Sequence, residues 1–176
     1  MSSRSEDSTG APDARVTKAA AAARLLALLL PASLLAGALG SQYVGGLFPC
    51  EMCYWQRWPH GAAILLAGLA FTAPASSSRS RTFTLLAALG IAISGIIGIY
   101  HAGVETGIFE GFTTCTALAT GGSTEDLLRQ ITQAPLVRCD QVQFSFLGIS
   151  MAGWNGLLSL GGAAAILWLV MRDARR

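Results

Sequence analysis

The chain has 176 residues, 52% of them hydrophobic and only 12% charged, with a mean hydropathy of +0.51 and a formal net charge of +2. Four apolar runs use most of that length, which excludes a sizeable water-soluble core and reads as one integral membrane domain. The small positive balance is no nucleic-acid signature, because the basic residues flank apolar runs, and no nucleic-acid partner is expected.

Residues 1–20 read as a disordered cytoplasmic tail, polar and without periodicity over 1–17. The membrane domain is expected over 21–172. Its first span, about 25–44, is Ala/Leu-rich and contains Pro31, which neighbouring helices can accommodate in a bundle. A basic flank ahead of an apolar run also describes a signal peptide, with small residues suited to cleavage at Leu35-Ala36-Gly37-Ala38-Leu39-Gly40. The run exceeds the usual signal-peptide length, and cleavage would leave three spans, so a span is expected here. A short outer loop, about 45–53, carries Cys50-Glu51-Met52-Cys53. The second span, about 54–73, opens on Trp55 and Trp58 as an interfacial aromatic belt. Pro74 and Ser76-Ser77-Ser78 form a tight link to the third span, about 83–102. There Gly90, Ser94 and Gly98 make a ridge of small residues that lets a neighbour approach, and Gly148, Ala152 and Gly156 repeat the device in the fourth span, about 146–171.

The loop between these last two spans, about 103–145, is the longest segment outside the bilayer. Within it, Ser123-Thr124-Glu125-Asp126 followed by Leu127, Leu128 and Ile131 predicts a capped amphipathic helix that Pro135 ends. Cys115 and Cys139 bracket that element.

Charge gives the orientation. Arg4, Arg15, Lys18, Arg24, Arg79, Arg81, Arg172, Arg175 and Arg176 fall on one side of four alternating spans, against Arg57, Arg129 and Arg138 on the other. The positive-inside rule then places both termini in the cytoplasm. All four cysteines face the outer, oxidising compartment.

A C-x-x-C pair admits several chemistries. Zinc would want a second close pair or histidines at ligand spacing, and no metal is expected. Haem attachment needs histidine where Tyr54 stands. Two structural disulfides in a non-catalytic membrane scaffold remain open. Three features favour thiol–disulfide exchange. Cys53 lies at the start of the second helix, where the dipole favours thiolate. Arg57 lies one turn further on the same face, where it can stabilise that thiolate or simply snorkel to headgroups. A second cysteine pair lies in a long loop on the same side. His101, in Tyr100-His101-Ala102-Gly103-Val104-Glu105, is placed to hydrogen-bond a lipid-soluble acceptor, or is a helix-end histidine only. Glu105 is expected to be solvated.

With these residues in place the chain resembles the disulfide bond formation protein B family over about 20–172. The resemblance rests on four spans, the C-x-x-C before the second followed by Arg57, a cysteine pair in the second outer loop, and Tyr100-His101 closing the third span. Phe146-Leu147-Gly148-Ile149-Ser150-Met151-Ala152-Gly153-Trp154-Asn155 opens the fourth. It implies an all-α, four-transmembrane-helix enzyme of the bacterial inner membrane. In such an enzyme a Cys115–Cys139 disulfide reoxidises a periplasmic thioredoxin-fold dithiol oxidase of the DsbA kind, with Cys115 forming the mixed disulfide. Electrons would pass to Cys50–Cys53, and Cys53 would contact a membrane quinone (ubiquinone or menaquinone) with Arg57 and His101 near its ring. Gln56 departs from the pattern, since the family allows an acid there. The vitamin K epoxide reductase-like family does similar chemistry on four helices, but its loop cysteines precede the C-x-x-C.

Overall fold

The computed structural model describes residues 14–111, 123–125 and 137–174. Four long helices dominate them: α1 (Ala14–Tyr43), α2 (Glu51–Ala70), α3 (Ser78–Glu105) and α4 (Met151–Ala174). Between α3 and α4 a two-stranded antiparallel hairpin pairs β1 (Ser145–Phe146) with β2 (Ile149–Ser150). Three of the helices contain stretches long and apolar enough to cross a membrane: Lys18–Tyr43, Ser78–Glu105 and Met151–Arg172. The 20-residue α2 falls short because Glu51, Gln56, Arg57 and His60 crowd its first half.

One packing rule builds the bundle. Buried positions recur at spacings of three or four: Ala20, Ala23, Ala27 and Pro31 on α1, and Met52, Gln56, His60, Ala63, Ala67 and Ala70 on α2. The same rhythm gives Ser80, Thr84, Ala87, Ile91, Ser94, Gly98 and His101 on α3, and Ala152, Gly156, Ser159, Ala163, Ile166 and Val170 on α4. A stripe of this period faces one neighbour along a whole helix and suits packing at shallow crossing angles. Near one end the stripes are apolar, where Ala63, Ala67, Ala87, Ile91, Ala163 and Ile166 share a core with Ala23 and Ala27. Toward the other end they become polar without losing register.

Small residues set how closely α3 approaches its partners. A Cβ on Gly98 would lie 2.9 Å from both the Ala152 carbonyl oxygen and the Gly156 nitrogen, and one on Gly90 would lie 3.1 Å from the Pro59 carbonyl. The α3 ridge therefore serves two neighbours, α2 at Gly90 and α4 at Gly98. Gly148 does not extend it. With φ of +78° after Leu147 at +52°, Gly148 forms the tight turn of the hairpin, where left-handed conformations match the strand twist. The fourth helix consequently begins at Met151 and not near 146.

Other boundaries move for local reasons. The Ser77 hydroxyl accepts from the Ser80 N–H, so α3 starts at Ser78 and takes Arg79 and Arg81 into its first turn. Helix α1 starts at Ala14, so 14–20 of the expected tail is helical, while residues 1–13 lie outside the described residues. The amphipathic element expected after Ser123 also lies largely outside them, at 126–136.

Candidate functional site

The C-terminal ends of α1 and α3 and the N-terminal ends of α2 and α4 meet at the polar end of the bundle. Helix α2 starts at Glu51 because Cys50 is its N-cap, with Cys50 Sγ accepting from the Cys53 N–H at 3.3 Å. Cys53 therefore sits in the first helical turn, well ahead of the apolar part that begins near Gly61. The cap brings the two sulfurs to 3.0 Å. Cys50 is buried and Cys53 only partly so.

That arrangement separates the two thiols electrostatically. A hydrogen bond from Cys50 is the largest influence on Cys53 and, with the attraction of Arg57, outweighs burial to hold its thiol down at about 7. The same contact, reinforced by burial, pushes the Cys50 thiol up. At neutral pH the less buried sulfur, Cys53, has the larger thiolate fraction, and the buried Cys50 is its hydrogen-bond donor.

Arg57 lies one turn beyond Cys53 and is tied to α1, with one nitrogen donating to the Ala38 carbonyl at 3.1 Å and another to the Gln42 side-chain oxygen. Its guanidinium is thus held in place and does not reach freely to the membrane surface. His101 is buried on α3, its Nε2 3.5 Å from Cys50 Sγ and 3.9 Å from a Glu105 carboxylate oxygen. Glu105 is not solvated: its side chain is 7% exposed and is hydrogen-bonded by Ser150. Cys139 is buried in one small cluster with Cys50, Met52 and Val104, and its backbone accepts from the His101 ring. Arg138 and Asp140 pair beside it. Cys115 lies outside the described residues.

Cys53, Arg57, His101 and Glu105 line a cavity of about 100 Å³. Ser41, Leu47, Phe144 and Met151 belong both to its wall and to a larger, mostly apolar groove of about 570 Å³ between α1 and α4. A small chamber with a few polar groups, sharing walls with a larger apolar groove, suits a flat head group carrying a lipid-like tail. The sulfurs of Cys50 and Cys53 and a His101 nitrogen lie within 4.8 Å of one another, a donor set that could suit a thiophilic metal ion. Gln56 argues against it. Its side-chain nitrogen lies 2.9 Å from His101 Nδ1, which places the ring proton on Nε2, the atom a metal there would need deprotonated.

The family comparison meets this geometry. The model of the family described as Disulfide bond formation protein DsbB matches residues 20–169. The chain belongs to the DsbB family. It is 32% identical over 142 residues to the Disulfide bond formation protein B of Shewanella sp. (strain MR-4), covering 77% of this chain and 78% of that one. To the protein of that name from Polaromonas sp. (strain JS666 / ATCC BAA-500) it is 30% identical over 166 residues, covering 87% and 93%. An uncharacterised protein of Rickettsia prowazekii (strain Madrid E) is 26% identical over 123 residues, covering 68% and 70%. No solved structure matches significantly. DsbB membership makes this a membrane protein of disulfide formation with an oxidoreductase role.

Around the cysteines the structure assembles residues to which the sequence alone gave no chemical role. Asn155 Nδ2 donates to Gln56 Oε1 at 2.8 Å, and His60 Nε2 contacts Asn155 Oδ1 and Ser94 Oγ, each at 2.9 Å. Ser94 Oγ donates to the Gln56 carbonyl at 2.8 Å, and Ser159 Oγ to Asn155 Oδ1 at 3.1 Å. Gln56, His60, Ser94 and Ser159 occupy the same three-and-four stripes as the alanine core, and Asn155 adjoins the α4 stripe beside Gly156. Polar residues in register with an apolar stripe were the available signal, since polar groups inside a membrane bundle are expensive and usually functional.

Proposed function

We propose that this DsbB-family protein is a four-span thiol:quinone oxidoreductase of the bacterial inner membrane, with both termini in the cytoplasm and the cysteines in the periplasm. It reoxidises a DsbA-like thioredoxin-fold protein and delivers the electrons to a membrane quinone. The observation that carries this is the cavity where Cys53, its thiol held down at about 7, lies with Arg57 and His101 and which shares four wall residues with an apolar groove.

The reaction balances in three exchanges. The partner's two thiols reduce a Cys115–Cys139 disulfide, giving partner disulfide and two loop thiols. Those thiols reduce a Cys50–Cys53 disulfide, and the loop disulfide re-forms. The Cys50–Cys53 dithiol then loses two electrons and two protons to the quinone substrate, which becomes quinol. The buried contact between the Cys50 and Cys139 regions supports the middle exchange, since thiolate attack through a mixed disulfide requires direct approach of sulfurs. When bound, the quinone supplies the two-electron sink that a strongly oxidising partner requires. Arg57, fixed against α1, supplies positive charge beside the Cys53 thiolate and the acceptor's oxygen, while the His101 ring stands on the Cys50 side. Leu47, Phe48, Phe144 and Met151 supply apolar wall to this chamber.

The test is quinone reduction by the purified protein with a reduced thioredoxin-fold partner, beside Cys53→Ser and Cys115→Ser. Wild type turns over, both variants stop, and Cys115→Ser still reduces quinone when a small dithiol replaces the partner. If quinone stays oxidised under every arrangement, the relay is refuted and the cysteine pairs are structural disulfides.

A further inference from the structure

The buried chain from α4 to the cysteines has a fixed direction, and backbone carbonyls set it. A carbonyl oxygen can only accept, so whatever faces it must be a donor. The Gln56 atom 3.1 Å from the Met52 carbonyl is therefore its amide nitrogen, and the same nitrogen lies 2.9 Å from His101 Nδ1. The Asn155 atom 3.3 Å from the Ser94 carbonyl is likewise nitrogen, and it donates to Gln56 Oε1 at 2.8 Å. Neither amide can turn over without setting an oxygen against a carbonyl oxygen. With Nδ1 occupied by an amide donor, the ring's N–H lies at Nε2, on the side of Cys50 Sγ at 3.5 Å. An N–H on the ring is also what the Cys139 carbonyl requires of it, so the single Nε2 proton is shared between that carbonyl and the Cys50 sulfur.

We propose that Gln56 and Asn155 are positioning residues for the cysteine pair: they hold His101 as the Nε2-protonated imidazole, so that it donates a hydrogen bond to the Cys50 sulfur and cannot act as a base toward it. Its bearing on turnover rests on the redox reading above; the tautomer itself does not. A carboxylate at position 56 would do the opposite, drawing the proton to Nδ1 and leaving a lone pair facing sulfur. Glutamine there gives this chain a histidine that steadies Cys50 as it becomes anionic. Cys50's proton must then leave by another route, and Glu105 and Cys139 are the groups at hand.

The experiment is nitrogen-15 NMR of the full-length, reduced protein in micelles with labelled histidine, His101 being assigned by comparison with a His60→Gln protein. Two-bond couplings distinguish Nε2, which couples to both ring carbon-bound protons, from Nδ1, which couples strongly to one. In the wild type Nε2 carries the proton. In Gln56→Glu the proton moves to Nδ1, and in Asn155→Leu, where the Gln56 amide is released, both tautomers are populated. Asn155→Leu touches neither sulfur, yet with the donor tautomer cut to about half of the population the Cys50–Cys53 equilibrium against a reference dithiol moves about twofold toward the disulfide. Nε2 found unprotonated in wild type, or an unchanged tautomer in Gln56→Glu, overturns the proposal. So does a shifted tautomer in Asn155→Leu with an unmoved dithiol equilibrium. The wild-type spectrum decides the first point even if a variant fails to fold. A protein that shows the tautomer but never reduces quinone refutes the redox reading alone.

Discussion

Removing the Cys50 thiol is the sharpest perturbation of the site. In a background with Cys115 and Cys139 replaced by serine, Cys50→Ala takes away the hydrogen bond that is the largest cause of the low Cys53 value. Burial and Arg57 remain and oppose one another, so the thiol returns toward its ordinary value near 9.0. At pH 7 the thiolate fraction falls from about a half to about a hundredth, a loss of about fiftyfold. Each remaining anion is more nucleophilic, by about eightfold over two pH units at a Brønsted slope of about 0.45. The net alkylation rate with iodoacetamide at pH 7 therefore falls about sixfold. Above pH 10, where Cys53 is ionised in both proteins, the variant reacts about eightfold faster. The two pH profiles cross. Cys50 does not obscure the measurement, because its own thiol is pushed up and contributes little near neutrality. Profiles that share one midpoint would refute the assignment of Cys50 as donor to Cys53.

Arg57→Met raises the same alkylation midpoint by less than Cys50→Ala, because its attraction is a smaller cause than the hydrogen bond, and it also weakens quinone reduction; an unmoved midpoint places the guanidinium outside the site. Gly98→Ala puts a Cβ 2.9 Å from two backbone atoms of α4 that cannot step aside, so thermal unfolding in micelles should show a loss of about 1–3 kcal/mol. Gly61→Ala has nothing within 4 Å and should gain several tenths of a kcal/mol from helix propensity, and equal effects at the two sites would refute the close α3–α4 approach. A cysteine introduced at Ser77 in a cysteine-free protein should be labelled by a membrane-impermeant maleimide only from the cytoplasmic side, and one at Leu147 only from the periplasmic side. Any other pattern contradicts the four-span topology.

Much of this architecture was legible in the sequence because the bilayer enforces long apolar runs, and runs of that length leave few alternatives. The helix ends were less so. Cys50 reads as part of a loop until its sulfur is seen to cap α2, and Phe146–Ser150 reads as helix until the positive φ values of Leu147 and Gly148 turn it into a hairpin. Cysteine spacing marked Cys50 and Cys53, whose sulfurs the structure brings to 3.0 Å, and Arg57 followed from one helical turn. Asn155 could not be paired with Gln56 from the sequence, since 99 residues separate them and their contact depends on how closely Gly98 lets α4 approach α3. Glu105 reads as a solvated acid at a helix end, yet the hairpin folds Ser150 over it.

The most direct test of the central claim is the stoichiometry of a single anaerobic turnover, with partner thiols and quinone counted in the same sample. The account predicts two partner thiols lost for each quinol formed, with the enzyme's own thiol content unchanged after turnover. Partner thiols lost without quinol, or quinol formed while the partner stays reduced, would contradict the relay.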